Sequence, residues 1–195
     1  MALLAKKNNF IILADEVYEI YDYENIFHSF LHYFSKNIFC LYSLSKSFSM
    51  CGWRLGWGIG DAEIIKKLIT YQSELSTSPH TLSQLLAIEL FNKPKKLLTY
   101  FASIKNQAKK QRDFAISYLQ KNNIDFIVPE GGIAMLIKIP TSFKNAFSFA
   151  ETLLIKRNVA VAPGEVFGQS QYFRINLTVL PKYLKIILDR VSQYY

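Results

Sequence analysis

The stretch SLSKSFSMCGWRLGW, Ser43 to Trp57, sets a lysine and an arginine eight positions apart, Lys46 and Arg54, among small and flexible residues. The apolar run NIFCLYSL leads into it and LGWGIG overlaps its end. Both runs are short enough to be strands buried on both faces. Two cations between two such strands sit in an unusual place for surface charge, and that placement makes them candidates for holding a ligand.

The same alternation of elements extends outward. Upstream, FIILADE is a third short apolar run, ending in acids. Downstream, DAEIIKKLITYQSEL predicts a helix with Asp61 as N-cap and Ile64, Ile65, Leu68 and Ile69 as its apolar stripe. TLSQLLAIELF predicts a second helix, started by Thr81 after Pro79. Beyond Pro94 a long pattern runs from about Lys95 to Lys121, with Leu97, Leu98, Phe101, Ile104, Ala108, Phe114 and Leu119 on or near one side. Such a helix can link two domains. In the final third, strand patterns and helix patterns alternate at shorter intervals. FIVPEGGIAMLIKIP reads as a strand interrupted by a turn at Pro129 to Gly132, and NAFSFAETLLIKRN as an amphipathic helix. VAVAP and YFRINLTV read as strands, and PKYLKIILDRVSQYY as a terminal helix with Pro181 in its first turn. Strands mixed with helices packed on one side predict a small α/β subdomain.

Composition bounds the alternatives. With 195 residues, 50% hydrophobic and 15% aromatic, the chain can build a sizeable core. Its apolar runs fall well short of the ~20 residues of a membrane-spanning helix. MALLAKKNNF lacks the apolar length and small-residue cleavage site of a signal peptide. The chain therefore reads as soluble and cytoplasmic, with no membrane partner. Cys40 and Cys51 lie outside any spaced framework and read as reduced thiols. The net charge of +8 is spread along the chain, and its densest clusters, KPKK and KNQAKKQR, fall on a solvated helical face. Nucleic acid is accordingly not an expected partner, and no metal-ligand spacing is present.

At the strand ends the residue types converge on one chemistry. Asp15 follows an apolar run, so it stands at the carboxyl end of a buried strand, where open α/β sheets contact ligands. Tyr18 lies three residues on, Ser43 and Lys46 close the second strand, and Arg54 precedes the third. Singly, an Asp is a cap, a Lys is surface and an Arg beside tryptophans stacks. Jointly they meet the needs of pyridoxal phosphate. Lys46 supplies an amine for the aldehyde, a buried Asp15 would keep the pyridine nitrogen protonated, and Tyr18 can donate to the ring oxygen. Arg54 and Ser43 suit the phosphate.

ADEVYE, SLSKSFSMCGWRLGW, PEGG, APGEVFG and YFRINLTV, in this order, resemble the C-terminal half of the class I/II aminotransferases, the fold-type-I pyridoxal phosphate enzymes. The resemblance covers essentially the whole chain. It implies the C-terminal part of a large mixed/parallel-sheet cofactor-binding domain over residues 1–94, an interdomain helix over 95–122 and a small α/β domain over 123–195. It implies Lys46 as the catalytic lysine that shuttles a proton at the substrate's α-carbon, and Asp15, Tyr18, Ser43 and Arg54 as cofactor contacts. Arg174 in YFRINLTV resembles the arginine that clamps the substrate's α-carboxylate; the alternative is a strand-edge surface charge. The substrates implied are an amino acid and a 2-oxo acid. The family's subunit is about twice as long, and what precedes the ADEVYE strand there, including a phosphate-binding loop and an aromatic that stacks on the ring, has no counterpart here. A truncated form is therefore expected, acting as a homodimer or with a chain that supplies the missing N-terminal half. A related carbon–sulfur lyase and an inactive remnant remain as alternatives, and side-chain specificity is not legible.

Overall fold

The computed structural model describes residues 1–33 and 36–195. The chain divides into two compact units, Met1–Ser103 and Ile104–Tyr195.

In the first unit, α1 (Ala2–Asn8) ends at Asn9 in a left-handed cap. Strand β1 (Ile12–Asp15) pairs in parallel with β2 (Ile38–Ser43), and β3 (Gly56–Gly60) pairs antiparallel on the other side of β2. A single turn of helix, α2 (Leu44–Ser47), follows β2 directly. The sheet is mixed, as expected, but only β2 is buried on successive residues, at Ile38, Phe39 and Cys40. Leu13 in β1 is 65% exposed and Ile59 in β3 is 39% exposed. The reason is position: β1 and β3 are the edge strands of this sheet. Expected burial of all three strands on both faces therefore holds for the central one alone.

Glycine decides how β3 fits. Gly58 and Gly60 lie under the Phe39 ring, and a Cβ at Gly58 would stand 2.2 Å from its Cζ. The alternation GWGIG thus puts Phe39 over the glycines on one face and Trp57 and Ile59 on the other. Behind α2, Leu44, Phe48 and Ala87 form a small core with Leu55, Trp57, Leu97 and Phe101 around it. Phe48 meets Phe101, Phe91 and Trp57 edge-on at 5.0, 5.9 and 6.2 Å.

Helix α3 (Ala62–Ser76) starts on Asp61, whose carboxylate accepts from Glu63 N at 3.0 Å, as its sequence predicts. Its apolar stripe, however, buries nothing: Leu68 and Ile69 are exposed. Helix α4 (Thr81–Phe91) starts at Thr81, as expected, with His80 in the N-cap position but no side-chain cap bond from it, and it buries only Ser83 and Ala87. Leu82, Leu85 and Ile88 form an exposed apolar row along it. Helix α5 (Pro94–Lys121) spans the boundary between units. Its buried side is Ala108, Gln111, Arg112, Ala115 and Leu119, while Leu98 and Phe114, expected on that side, are exposed. Spacings of three and four from Ala108 define the true stripe, and Leu98 and Phe114 lie off it.

The second unit is an antiparallel sheet, β4 (Phe126–Ile127), β5 (Ala134–Lys138), β6 (Ala162–Pro163) and β7 (Tyr172–Asn176), in the order β4-β5-β7-β6. The turn between β4 and β5 uses Gly132 at φ 78°. Helix α6 (Ala146–Arg157) is capped by Asn145, which accepts from Ser148 N at 3.0 Å, and α7 (Pro181–Ser192) begins on proline. Met135 and Ile137 alternate into the core with Phe173 and Ile175, where Phe149, Leu153, Leu184 and Leu188 cover them. One face of the sheet is thus sealed by helices.

Candidate active site

Strand pairing assembles the site in the first unit. Because β1 and β2 are parallel, with Asp15 opposite Leu41, their carboxyl ends reach the same edge of the sheet. Ser43 at the end of β2 lies opposite Gly56 at the start of antiparallel β3, so Arg54, two residues before β3, stands at that edge too. Asp15, Ser43, Lys46 and Arg54 are thereby gathered at one rim. Alternation along the strands puts Asp15 and Ser43 on the face that also carries Leu13 and Leu41.

Each group has a local cause. Asp15 is exposed rather than buried, and among the described residues its carboxylate accepts only a long 3.4 Å bond from Val17 N. With Leu13 equally open, that face of β1 has no covering element among the described residues. Ser43 is the N-cap of α2: its hydroxyl accepts from Ser45 N at 3.0 Å and reaches Leu55 O at 3.4 Å. Lys46 is half-buried, its Nζ 5.6 Å from the centre of the Tyr18 ring. Among the described residues that amine has neither hydrogen bond nor ion pair. Arg54 adopts a left-handed backbone, φ 50°, and donates through Nη1 to Cys51 O at 2.8 Å. The rest of its guanidinium has no partner among the described residues.

The opposite face carries groups that the sequence pattern does not single out. Glu16 is buried, and its carboxylate accepts from Ser29 Oγ (2.6 Å), Phe30 N (2.7 Å) and Tyr42 Oη (2.6 Å). Burial and the Glu16 carboxylate push the Tyr42 phenol well above its ordinary range. An open cavity of about 500 Å³ lies beside this network, lined by Glu16, Tyr42, Trp57 and Ile59 among others. The period of two is the available signal: if Asp15 faces a ligand, Glu16 faces inward. Glu19, Tyr21 and Ser47 are likewise unmarked in the sequence. They bond around α2, and burial raises the Glu19 carboxyl above its usual range against the opposing bond from Ser47.

Arg174 belongs to the second unit. Phe173 and Ile175 point into the core, so Arg174 faces the other way, exposed, with its guanidinium 4.5 Å from the centre of the Phe167 ring. β7 is an interior strand, so Arg174 is not at a sheet edge. Cys40 is buried and Cys51 exposed, and both are free. No described helix is long and apolar enough to cross a membrane.

A partly shielded amine, a carboxylate, a phenol and a guanidinium engaged on one side only stand at one sheet edge, a set of groups that suits a phosphate-bearing aldehyde cofactor. The family description "Aminotransferase class I and II" matches residues 1–191, and the chain belongs to that family. Enzymes of the family use pyridoxal phosphate. The chain is 32% identical to a probable aspartate/prephenate aminotransferase of Rickettsia conorii, over 98% of this chain and 51% of the relative. Among solved structures it resembles a double mutant of Thermus thermophilus aspartate aminotransferase, with TM-score 0.93 and 25% identity over 100% of this chain and 50% of that one. Aspartate aminotransferase of Thermotoga maritima matches with TM-score 0.88 and 29% identity over 99% of this chain and 50% of that one. The chain therefore spans about half the length of the relatives it matches.

Proposed function

We propose that the chain carries the lysine-bearing part of a pyridoxal phosphate-dependent aminotransferase that moves an amino group between an amino acid and a 2-oxo acid. The observation that supports this best is the gathering of Asp15, Ser43, Lys46 and Arg54 at one sheet edge, with the Lys46 amine free and set over Tyr18. The residues present fit the cofactor, which when bound supplies an aldehyde for an amine and a ring that takes up electron density. Lys46 would be the attachment point, and its Nζ would take up and return the proton at the substrate's α-carbon. The Asp15 carboxylate would pair with the ring nitrogen and favour its protonated form through its negative charge. Tyr18 would donate a hydrogen bond from its phenol to the ring oxygen. Ser43 and the free side of the Arg54 guanidinium bind the phosphate, the arginine in two-point fashion. Arg174 binds the substrate's α-carboxylate.

In this reading residues 1–94 form the cofactor-binding part, 95–122 the connecting helix and 123–195 the small domain. The protein acts in the cytoplasm, as a homodimer or with a polypeptide that supplies the remainder of the family fold. The test is to treat the chain with pyridoxal phosphate, reduce with borohydride and map the peptides. The pyridoxyl group is expected on Lys46; labelling spread evenly over the surface lysines would remove the assignment.

A further inference from the structure

Lys46 sits in α2, a helix of four residues. One turn is too short to hold itself, since helix nucleation is unfavourable and isolated helices below ~12 residues are marginal. The position of the amine therefore depends on what tethers the turn. Its start is fixed by the Ser43 cap and by Leu44, which is fully buried. Its far side is fixed by Ser47, 1% exposed, whose hydroxyl donates to Glu19 Oε1 at 2.9 Å and lies 3.4 Å from Val17 O. A hydroxyl has one proton, so the shorter contact is the bond. Tyr21, 3% exposed, donates to the carbonyl of Lys46 itself at 3.2 Å.

These far-side tethers all come from residues 17–21, the segment that begins two positions after Asp15. Glu19 is the charged member of the set. One oxygen holds Ser47; the other is buried with no hydrogen-bond partner among the described residues. A carboxyl group left half-satisfied in this way is a costly way merely to fill space, because an apolar side chain would do so without the desolvation.

Resting on the assignment of Lys46 above, we propose that Glu19, acting through the Ser47 hydroxyl, is the positioning residue for Lys46: it locks the α2 turn to the loop after Asp15, so that carboxylate and amine are held as one piece. Glu19 touches neither cofactor nor substrate in this role. Its burial-raised carboxyl makes the neutral amide a fair replacement, since Gln keeps the acceptor for Ser47.

The full chain tests this in four variants: Glu19→Ala, Glu19→Gln, Ser47→Ala and the double Glu19→Ala/Ser47→Ala. Two quantities are read. The first is the pyridoxyl group trapped on Lys46 relative to Lys66 and Lys95 in the same sample; the second is deuterium exchange of the peptide spanning Ser43 to Met50, with the β5 peptide as internal reference. Glu19→Ala and Ser47→Ala should each lower the Lys46 ratio by about ten-fold, the loss of one strong hydrogen bond. Each should also speed exchange in the Ser43–Met50 peptide alone. The double variant should be no worse than either single, because both remove one bond, and Glu19→Gln should behave as the parent. An unchanged Lys46 ratio in Glu19→Ala overturns the proposal. So does a Gln variant as poor as the Ala variant, or exchange that rises across the whole first unit. If the parent chain fails to select Lys46, the assignment of the lysine falls and this inference with it; loss confined to the variants leaves that assignment standing.

Discussion

The two units of the chain differ in how far their apolar residues close into one core. Residues 104–195 close a core of their own: Phe149 is fully buried and meets Phe143, Phe173 and Tyr194 edge-on at 4.9, 5.1 and 5.6 Å. Residues 1–103 instead have small separate clusters and leave Leu13, Ile69, Leu82, Leu85 and Ile88 exposed. The difference shows where stability and chemistry are separated. The sealed unit is held by its own packing, whereas the open unit carries the groups that converge at one sheet edge and, among the described residues, leaves the Asp15 face of β1 uncovered.

The largest effect should come from breaking the sealed side. Phe149→Ala leaves a cavity inside a ring of aromatics and should cost about 3–5 kcal/mol. Denaturant unfolding followed by deuterium exchange should show the loss in β5, β7 and α7, with the first unit little changed. A cost below about 1 kcal/mol would mean that this core is not closed in solution.

Next comes a change that should alter binding without altering the fold. Arg54 occupies a left-handed backbone, which costs an L-residue about 1–2 kcal/mol. Glycine relieves that strain but has more freedom to lose on folding, so Arg54→Gly should change stability by less than about 1 kcal/mol. Removing a charge-assisted phosphate contact of about 1.5–3 kcal/mol should meanwhile weaken pyridoxal phosphate binding some ten- to hundred-fold, read by absorbance titration. Equal affinity in the variant would take Arg54 out of the site.

The two units should also respond oppositely to pH. Asp189 accepts from Lys185 Nζ at 2.7 Å and Tyr118 Oη at 2.8 Å, and these bonds hold its carboxyl below its ordinary range. The stability it contributes is complete above the unfolded-state value and lost as pH falls through the folded one. Glu19 is held above its range by burial, so its contribution is complete below the unfolded-state value and lost as pH rises through the folded one. Exchange measured in each unit from acid to neutral pH should show these opposing slopes, and Glu19→Gln should flatten the second alone. The smallest effect on stability belongs to the exposed row: Leu85→Lys and Ile88→Lys should change it by less than about 0.5 kcal/mol while lowering self-association in sedimentation.

The sealed unit is the more legible in the sequence, and for the same physical reason. Strands β5 and β7 alternate cleanly because one face is buried by the chain's own helices, so Met135, Ile137, Phe173 and Ile175 declare the core. In the open unit the pattern misleads. The apolar stripe of α3 and the run of β1 read as buried, but burial depends on a covering element, and sequence pattern records the demand for cover and not its source. The strand ends at Asp15, Ser43 and Lys46 are legible because parallel pairing forces them to one edge. Glu16, Glu19 and Ser47 are not, since their roles arise from contacts across up to twenty-eight positions of chain, such as Ser47 with Glu19.

In the proposed reading the open unit carries the cofactor groups, and its uncovered face needs a further polypeptide to complete the site. The decisive assay is amino-group transfer from a broad panel of amino acids to 2-oxoglutarate or pyruvate by the 195-residue chain, saturated with pyridoxal phosphate, alone and with an added polypeptide that supplies the rest of the family fold. On this reading no transfer is measurable with the chain alone, transfer appears on addition of that polypeptide, and the restored activity is lost in Lys46→Ala. Robust transamination by the chain alone, or restored activity that survives Lys46→Ala, would contradict it.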